Sequence, residues 1–495
     1  MPSFLRFIFN YIFFLCMFSL QSEDYKVFCQ TPVVPPDSER VEPDSKSENK
    51  PQQNYITINK IGILGNKTTK RHILLRELPF LENDTVDRDK IQEKLKSARE
   101  NLLNTSLFNF VTIDTVSVRM AGADRIDVLI TVAERWYTWP IPIFEVQERN
   151  FNTWWQTKNF ERANYGFYLD RENFRGRKED LSFYFQFGYT EKYGITYKIP
   201  YLTRKQTSGA GLSFSYSRNH EIAYMTADNK LLYFKYPTEY VREEFTGKMY
   251  YSYRSGIHNT HTLETKYLNG KVSDTLNHYS VGYFIGQETK MQYLLLDYSF
   301  RMDHRDAKYF PLKGYYLELE ATKLGLGLLS KEKIDVLNLF FTLKKYQKIS
   351  SRFYLAGSLR IKFSPNSDQP YYVQRGLGFG DYVRGYEYYV IDGQSYGTTK
   401  WGLKYEIIKP KIRVIPLPFE KFNLFHYALY AGIFGDAGYV DDHQYTGNNF
   451  LANTYIYGYG TGIDFVTYYD MIFRFEYSFN KMLEHGFFVS FNAGI

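Results

Sequence analysis

From Trp136 onward, apolar and polar positions alternate with a period of two. Tyr315, Leu317, Leu319 and Ala321 interleave with Tyr316, Glu318, Glu320 and Thr322. Phe353, Leu355, Leu359 and Ile361 interleave with Arg352, Tyr354, Ser358, Arg360 and Lys362, and Phe473, Phe475, Tyr477 and Phe479 with Arg474, Glu476 and Ser478. Successive side chains of a strand point to opposite faces, so each segment has one greasy and one ionic face. About sixteen such segments can be counted, an even number as expected of an antiparallel membrane barrel. Short connections at 175–178, 345–350 and 467–470 alternate with long ones at 146–162, 219–241, 271–290 and 375–399. That rhythm predicts a barrel whose short turns face the periplasm and whose ionic face lines the lumen.

The pattern before Trp136 differs. Tyr55 to Ile63 reads as a strand and Gly65-Asn66 as a turn. Thr68 or Thr69 is placed to cap a helix bearing Ile73, Leu74 and Leu78. A second helix from about Val86 to Leu103 puts Ile91, Leu95, Ala98 and Leu102 on one stripe. Strands follow from Phe108 to Val118 and through Ile126, Val128, Ile130 and Val132, which makes a small α/β domain in the order strand, helix, helix, strand, strand. The predicted organisation is a signal peptide at 1–22, a linker at 23–53, the small domain at 54–135 and the barrel at 136–495.

Composition sharpens this picture. Among 495 residues there are 47 Tyr and 41 Phe, yet mean hydropathy is −0.42. Lipid-facing positions alternating with water-facing ones, with aromatic girdles, account for both values. The net charge of +7 is spread diffusely and does not argue for a nucleic-acid partner. Residues 1–22 carry Arg6, the largely apolar run Phe7 to Leu20 and then Ser22, which reads as a secretory signal. No other stretch approaches the roughly 18 apolar residues of a membrane helix. A membrane protein without such helices must close a barrel. Residues 30–53 are rich in Pro, Ser and charge and read as a flexible linker. Cys16 leaves with the signal, so Cys29 has no disulfide partner within the mature chain; the bulky Phe28 before it disfavours a lipid anchor.

The longest predicted loop, 375–399, contains Gly376, Gly378 and Gly380 and is centred on Val383-Arg384-Gly385-Tyr386. Long loops of this kind usually carry function. Two acids on neighbouring strands can meet its arginine if the loop folds inward. Glu406 shares the polar face of its strand with Lys404, and Asp436 ends the strand Tyr430 to Asp436. A guanidinium between them would find planar, bidentate partners.

Val383-Arg384-Gly385-Tyr386, followed by Phe434-Gly435-Asp436-Ala437-Gly438, resembles the loop motif and the F-x-D-x-G strand motif of the BamA/TamA superfamily of outer-membrane assembly factors. The resemblance implies a lumen clamp of Arg384 against Glu406 and Asp436, with Val383, Gly385 and Tyr386 as the loop motif and Phe434 and Gly438 as the strand motif. The first domain, through Gly65-Asn66, Leu107-Phe108 and Val132-Ala133-Glu134-Arg135, is similar to one POTRA domain, which implies binding of extended polypeptide by strand addition. Superfamily members often have several such units, so a single one leaves open a main assembly factor or a specialised paralogue. Asp303-His304-Arg305-Asp306 with Phe310-Pro311-Leu312-Lys313-Gly314 is also family-like; it falls at a predicted periplasmic turn and suggests no chemistry.

The first barrel strand, near Tyr137 to Val146, contains Pro140 and Pro142. Proline lacks the ladder donor, and residues two apart direct their amides toward the same neighbour, so one edge loses two bonds. The expectation is a weak lateral seam between this strand and the last, Gly486 to Ile495, whose Phe487 and Phe491 face lipid. The alternative is that the prolines face the second strand and only mark the chain entry.

No G-x-S-x-G elbow, HExxH or P-loop occurs. His220, His258 and His261 lack metal-ligand spacing. A permanently charged arginine cannot act as general acid or base. The expectation is a non-enzymatic chain without cofactors that inserts unfolded outer-membrane proteins, with lipid and periplasmic accessory proteins as further partners. A polypeptide secretion pore and a structural anchor are the alternatives.

Overall fold

The computed structural model describes residues 55–491 apart from 121–122, 147–150, 159, 204, 206, 237–238, 280–281, 367, 415–423, 445–448 and 468–470. The predicted signal peptide, the linker and Cys29 lie outside the described residues.

The first domain is a four-stranded sheet with two helices on one face. Its elements are β1 (Tyr55–Leu64), α1 (Arg71–Leu75), β2 (Thr85–Asp87), α2 (Ile91–Asn104), β3 (Phe108–Met120) and β4 (Ala123–Glu134). The sheet order is β2-β1-β4-β3, with β1 parallel to β4. Ile91, Leu95, Ala98 and Leu102 of α2 are buried as their spacing predicts, against Ile58, Ile73, Leu74, Phe108 and Ile130. Two local readings are corrected. The second helix starts at Ile91, because Thr85–Asp87 pairs with β1 as a strand. Neither Thr68 nor Thr69 caps α1, which has no side-chain cap. Instead the Glu134 carboxylate accepts the Thr68 and Thr69 amides at 3.0 and 2.6 Å, because the tertiary fold delivers a charged acceptor there.

Among the described residues, the chain after the first domain forms one 16-stranded antiparallel sheet and a separate hairpin, with short helices in the connections. The first five barrel strands are β5 (Thr138–Val146), β6 (Ala163–Phe174), β7 (Glu179–Gly188), β8 (Thr190–Ile199) and β9 (Ser208–Asn219), with the short helix α3 (Phe151–Thr157) between β5 and β6. The hairpin β10 (Glu221–Ala227) and β11 (Lys230–Lys235) fills the long connection expected after Asn219. The wall continues through β12 (Arg242–Ser255), β13 (Asn259–Val272), β14 (Lys290–Asp303), β15 (Gly314–Leu324), β16 (Val336–Lys348) and β17 (Phe353–Phe363). It finishes with β18 (Ser395–Val414), β19 (Leu424–Asp441), β20 (Tyr455–Thr467), β21 (Ile472–Asn480) and β22 (His485–Phe491).

Alternation decides the two faces. On β17, Phe353, Leu355, Leu359 and Ile361 stand outward and exposed while Tyr354 is buried; on β21, Phe475 and Tyr477 are outward while Arg474, Glu476 and Ser478 are buried. A continuous outward apolar surface is what lipid requires, with the ionic face enclosed. The loop between β17 and β18 contacts walls far apart in the sheet: Tyr372 donates to Glu244 on β12, and Arg384 to Glu476 on β21. The sheet therefore wraps around this loop, which spans 364–394, because residues 395–399 already belong to β18.

The first domain is docked on the short-turn end of the barrel. Glu77, only 2% exposed, receives two bonds from Arg254 at the end of β12, at 2.8 and 2.9 Å, and one from the Tyr201 hydroxyl at 2.9 Å. Thr69 joins the Tyr137 hydroxyl at 3.1 Å and accepts from Asn173 at 2.9 Å. The Lys70 amide donates to the Gly176 carbonyl in the β6–β7 turn at 2.9 Å.

Candidate functional site

The loop enters the barrel from the end opposite the docked domain and carries Arg384 to the wall. Val383 and Tyr386 anchor it, at 1% and 2% exposure, in a cluster with Leu377, Ile391, Val440 and Ile456. The Tyr386 hydroxyl accepts from the Lys481 amide at 3.2 Å. Two wall glycines make room. A Cβ on Gly438 would come 2.8 Å from Val383, and one on Gly458 would come 1.9 Å from the Arg384 carbonyl. Gly385 adopts φ +90°, a region that L side chains rarely enter, so the tip can turn. Gly438 of the strand motif is thus a seat for the loop.

Every guanidinium nitrogen of Arg384 has a partner. Its Nε and Nη2 donate to the two Asp436 oxygens at 2.8 and 2.6 Å, and Nη1 donates to Glu476 at 3.0 Å. The Arg384 amide adds a bond to Asp436 at 3.1 Å. The Phe434 ring lies 3.7 Å from the guanidinium carbon, a cation–π contact that turns the strand motif's aromatic into part of the site. Beyond Glu476 the charges alternate in sign. Arg474 stands 3.9 Å from Glu476 and 2.6 Å from Asp464, whose other oxygen receives Lys404 at 2.9 Å. Three cations and three anions are thereby linked, with Arg384 and its two acids at most 6% exposed in their side chains. Charges this buried are tolerable because each is paired and hydrogen-bonded.

Glu406 does not join this group. The β18–β19 register sets Lys400 opposite Asp436 and Glu406 opposite Tyr430. Six residues along a strand is roughly 20 Å, beyond the reach of one arginine. Glu406 is buried beside the Tyr430 hydroxyl instead. Its expected place is taken by Glu476, 92 residues from Arg384 in the chain. Glu476, Arg474 and Lys404 all stand on polar faces that the alternation exposes, and Asp464 is the register partner of Arg474. Nothing local marks which of these inward charges meets the loop.

The turn 304–313 also reaches the site. Phe310 packs on Tyr430 with centroids 4.9 Å apart, and Lys404 lies 4.2 Å from its ring. Asp306 holds the turn by accepting the amides of Ala307, Leu312 and Lys313.

An Omp85 superfamily domain matches residues 173–485, and a POTRA domain described as a surface antigen variable number repeat matches residues 56–135. The chain belongs to the Omp85 superfamily. No curated protein sequence matches it. Among solved structures, CdiB from Escherichia coli is similar at 13% identity with a TM-score of 0.53, over 88% of this chain and 75% of that one. BamA from Haemophilus ducreyi lacking POTRA domains 1–3 is similar at 14% identity with a TM-score of 0.48, over 88% and 83% of the two chains.

The second region of interest in this Omp85 chain is where the sheet's ends meet. Among the described residues no ladder joins β5 to β22. The Glu172 amide donates to the Tyr137 carbonyl at 2.8 Å, and Thr138 stands opposite Arg171. Odd residues of β5 therefore exchange bonds with β6, and even residues direct their backbone groups away from it. Pro140 and Pro142 are even, so both missing donors fall on the outer edge. On β22 the Asn480 amide donates to the Glu484 carbonyl at 2.9 Å, which makes even residues bond β21 and turns Phe487, Val489 and Phe491 to the open edge. The Phe487 side chain faces outward at 59% exposure; Phe491 is register-paired with Phe473. Strand ends with mismatched donors and acceptors form the weakest line available in a closed sheet.

Proposed function

We propose that this Omp85 chain is a non-enzymatic factor of the bacterial outer membrane that receives unfolded outer-membrane proteins through its periplasmic POTRA domain and releases them into lipid through the β5–β22 seam. Omp85 members handle unfolded protein clients. The observation that carries the reading is the edge of β5: an otherwise hydrogen-bonded sheet places two prolines where its first strand faces the gap. A seam bounded by an edge of this kind opens at low cost and exposes unpaired backbone groups to an incoming chain. Two features support it. In the POTRA domain β2 has three residues and β3 thirteen, so the long outer edge of β3, with Val116 59% exposed, is the one suited to strand addition. The lumen is occupied by the loop that holds Arg384, which argues against a conduit for polypeptide along the barrel axis. No nucleotide enters the scheme; the client's own burial in lipid drives the step.

Depletion followed by proteomics of the outer membrane tests this role. Broad loss of barrel proteins is the expected result. Loss of one exported protein with barrel proteins unchanged would replace insertion by secretion. A disulfide joining β5 to β22 should arrest growth and be relieved by reductant; unimpaired growth with the seam locked would remove the gate.

A further inference from the structure

Docking of the first domain leaves a cavity of about 410 Å³ between it and the mouth of the barrel. The domain contributes Glu77 and the end of α2 at Asn101 and Asn104; the barrel contributes Lys178, Arg254, Arg301, Arg305 and Lys308. In this lining five cations face two carboxylates, Glu77 and Asp303. Three of the five are satisfied within the protein: Arg254 by Glu77 at 2.8 Å, Arg305 by Asp303 at 2.6 Å and Arg301 by Glu318 at 2.6 Å. Lys178 and Lys308 make no ion pair among the described residues. Arg76, next to Glu77, adds to the excess: its Nε and Nη2 are enclosed without a hydrogen-bond acceptor among the described residues. Burial and the Arg254 charge push Arg76 below the usual guanidinium value. Burial likewise lowers the Lys178 ammonium, with Arg254 and Lys308 repelling it against the pull of Glu77. The junction therefore gathers more positive charge than its own carboxylates balance, at a cost that a bound anion relieves.

The rest of the lining narrows the anion. Thr207, Ser252 and Thr260 offer hydroxyl donors, and Asn101 and Asn104 offer amide donors. A phosphate group presents three acceptor oxygens and up to about two charges to such a set, where a carboxylate presents two oxygens and one charge. The cavity lies within the roughly 300–1,000 Å³ of small-molecule sites, so room remains for the group that carries the phosphate. Ser252 and Arg254 stand on the inward face, alternating with Tyr251 and Tyr253, which face outward at 47% and 45% exposure. Bilayer headgroups therefore do not reach the cavity. We infer that it is a binding site for a small soluble phosphomonoester, held by Lys178 and Lys308 of the barrel and by Asn101 and Asn104 of the first domain. A ligand gripped from both sides ties the domain to the barrel and fixes its orientation over the lumen. The site does not depend on whether the chain inserts or secretes its clients.

The test uses the full chain in zwitterionic detergent micelles with glycerol 3-phosphate, with inorganic phosphate, or with glycerol and sodium chloride at matched ionic strength. Calorimetry reads binding, and limited proteolysis reads the junction. Both phosphates should bind and slow cleavage at the junction at least threefold; glycerol with chloride should do neither. Lys178→Gln and Lys308→Gln should each weaken binding at least threefold, and the exposed Lys308 carries the comparison if the Lys178 variant fails to fold. Lys313→Gln, at the same end of the barrel but outside the cavity lining, should leave binding unchanged. Glu77→Gln should loosen the junction without phosphate yet tighten phosphate binding at least threefold, because it removes the carboxylate that competes for Arg254 and Lys178. A merely structural role for these residues would not give opposite signs. Phosphate binding that is absent, that survives both lysine variants, or that Lys313→Gln weakens equally would overturn the assignment. Protection by phosphatidylglycerol added to the micelles, with none from either phosphate, would overturn it in favour of a lipid.

Discussion

The clamp around Arg384 and the seam between β5 and β22 belong to one sheet and are built in opposite ways. At the clamp each guanidinium nitrogen of Arg384 has a partner, and three further charges extend the chain of alternating sign to Lys404. At the seam the backbone, which elsewhere pairs strand with strand, is interrupted by Pro140 and Pro142 on one edge and covered by the side-chain amide of Asn152, in α3, on the other. The difference teaches where the barrel can yield. Hydrogen-bonding capacity is saturated where the inward loop must be held, and left short where two strands must part.

The largest expected effect is at the clamp. Arg384→Ala leaves Asp436 buried without its hydrogen-bonded cation and Glu476 with only the more distant Arg474, and should cost about 3–5 kcal/mol. The thermal unfolding midpoint of the barrel, followed by heat-dependent gel migration, should fall by many degrees. A midpoint equal to wild type would show that the loop is held by Val383 and Tyr386 alone. The next is the docked domain. Glu77→Gln weakens charge-assisted bonds to Arg254 and Tyr201, each worth about 1.5–3 kcal/mol, and should make the POTRA–barrel junction more open to limited proteolysis.

The same junction has a pH dependence of definite sign. Burial acts to raise the Glu77 carboxyl, but the charges of Arg254 and Lys178 and the bonds from Arg254 and Tyr201 outweigh it and hold the group below the usual carboxylate value. A group depressed in the folded state contributes stability above its unfolded value, lost as pH falls through the folded one. Junction proteolysis should therefore stay flat from neutral pH to the ordinary carboxylate range and rise only below it. A rise already near neutrality would show that another group controls docking.

Effects at the seam are smaller and of opposite sign. Replacing Pro140 and Pro142 together with Thr supplies two donors on the outer edge, each worth about 0.5–1.5 kcal/mol once paired. The double variant should melt higher and work less well; a changed midpoint in neither direction, with full activity, would reduce the prolines to a mark of chain entry. The smallest effect separates true from apparent clamp acids. Glu406→Gln changes a contact with Tyr430 and should cost about 0.5–1.5 kcal/mol, well short of Glu476→Gln, which unbalances Arg384 and Arg474 together.

Much of the barrel was legible before its structure. Alternation such as Phe473-Arg474-Phe475-Glu476 is a property of neighbours in the chain, so strand number and the greasy and ionic faces follow from residues two apart. The parity that aims Pro140 and Pro142 at one edge was legible too; which edge required one bond, Glu172 to Tyr137, to set the phase. The 54–135 domain was readable for the same local reason, except where Glu134 replaced a threonine cap.

By itself, the sequence determined that an arginine on a glycine-rich loop would need acids, and that a sheet of alternating polarity would enclose them. The sequence named Asp436 as one of those acids; only the tertiary structure decided that Glu476 rather than Glu406 joins it at Arg384, that Glu406 stands too far down its strand, and that Asn152, in the helix after β5, meets Val489. The physical reason is distance along the chain: these partners lie 52, 92 and 337 residues apart, and which inward charge or edge amide meets which is set by register and closure, to which no stretch of neighbouring residues responds.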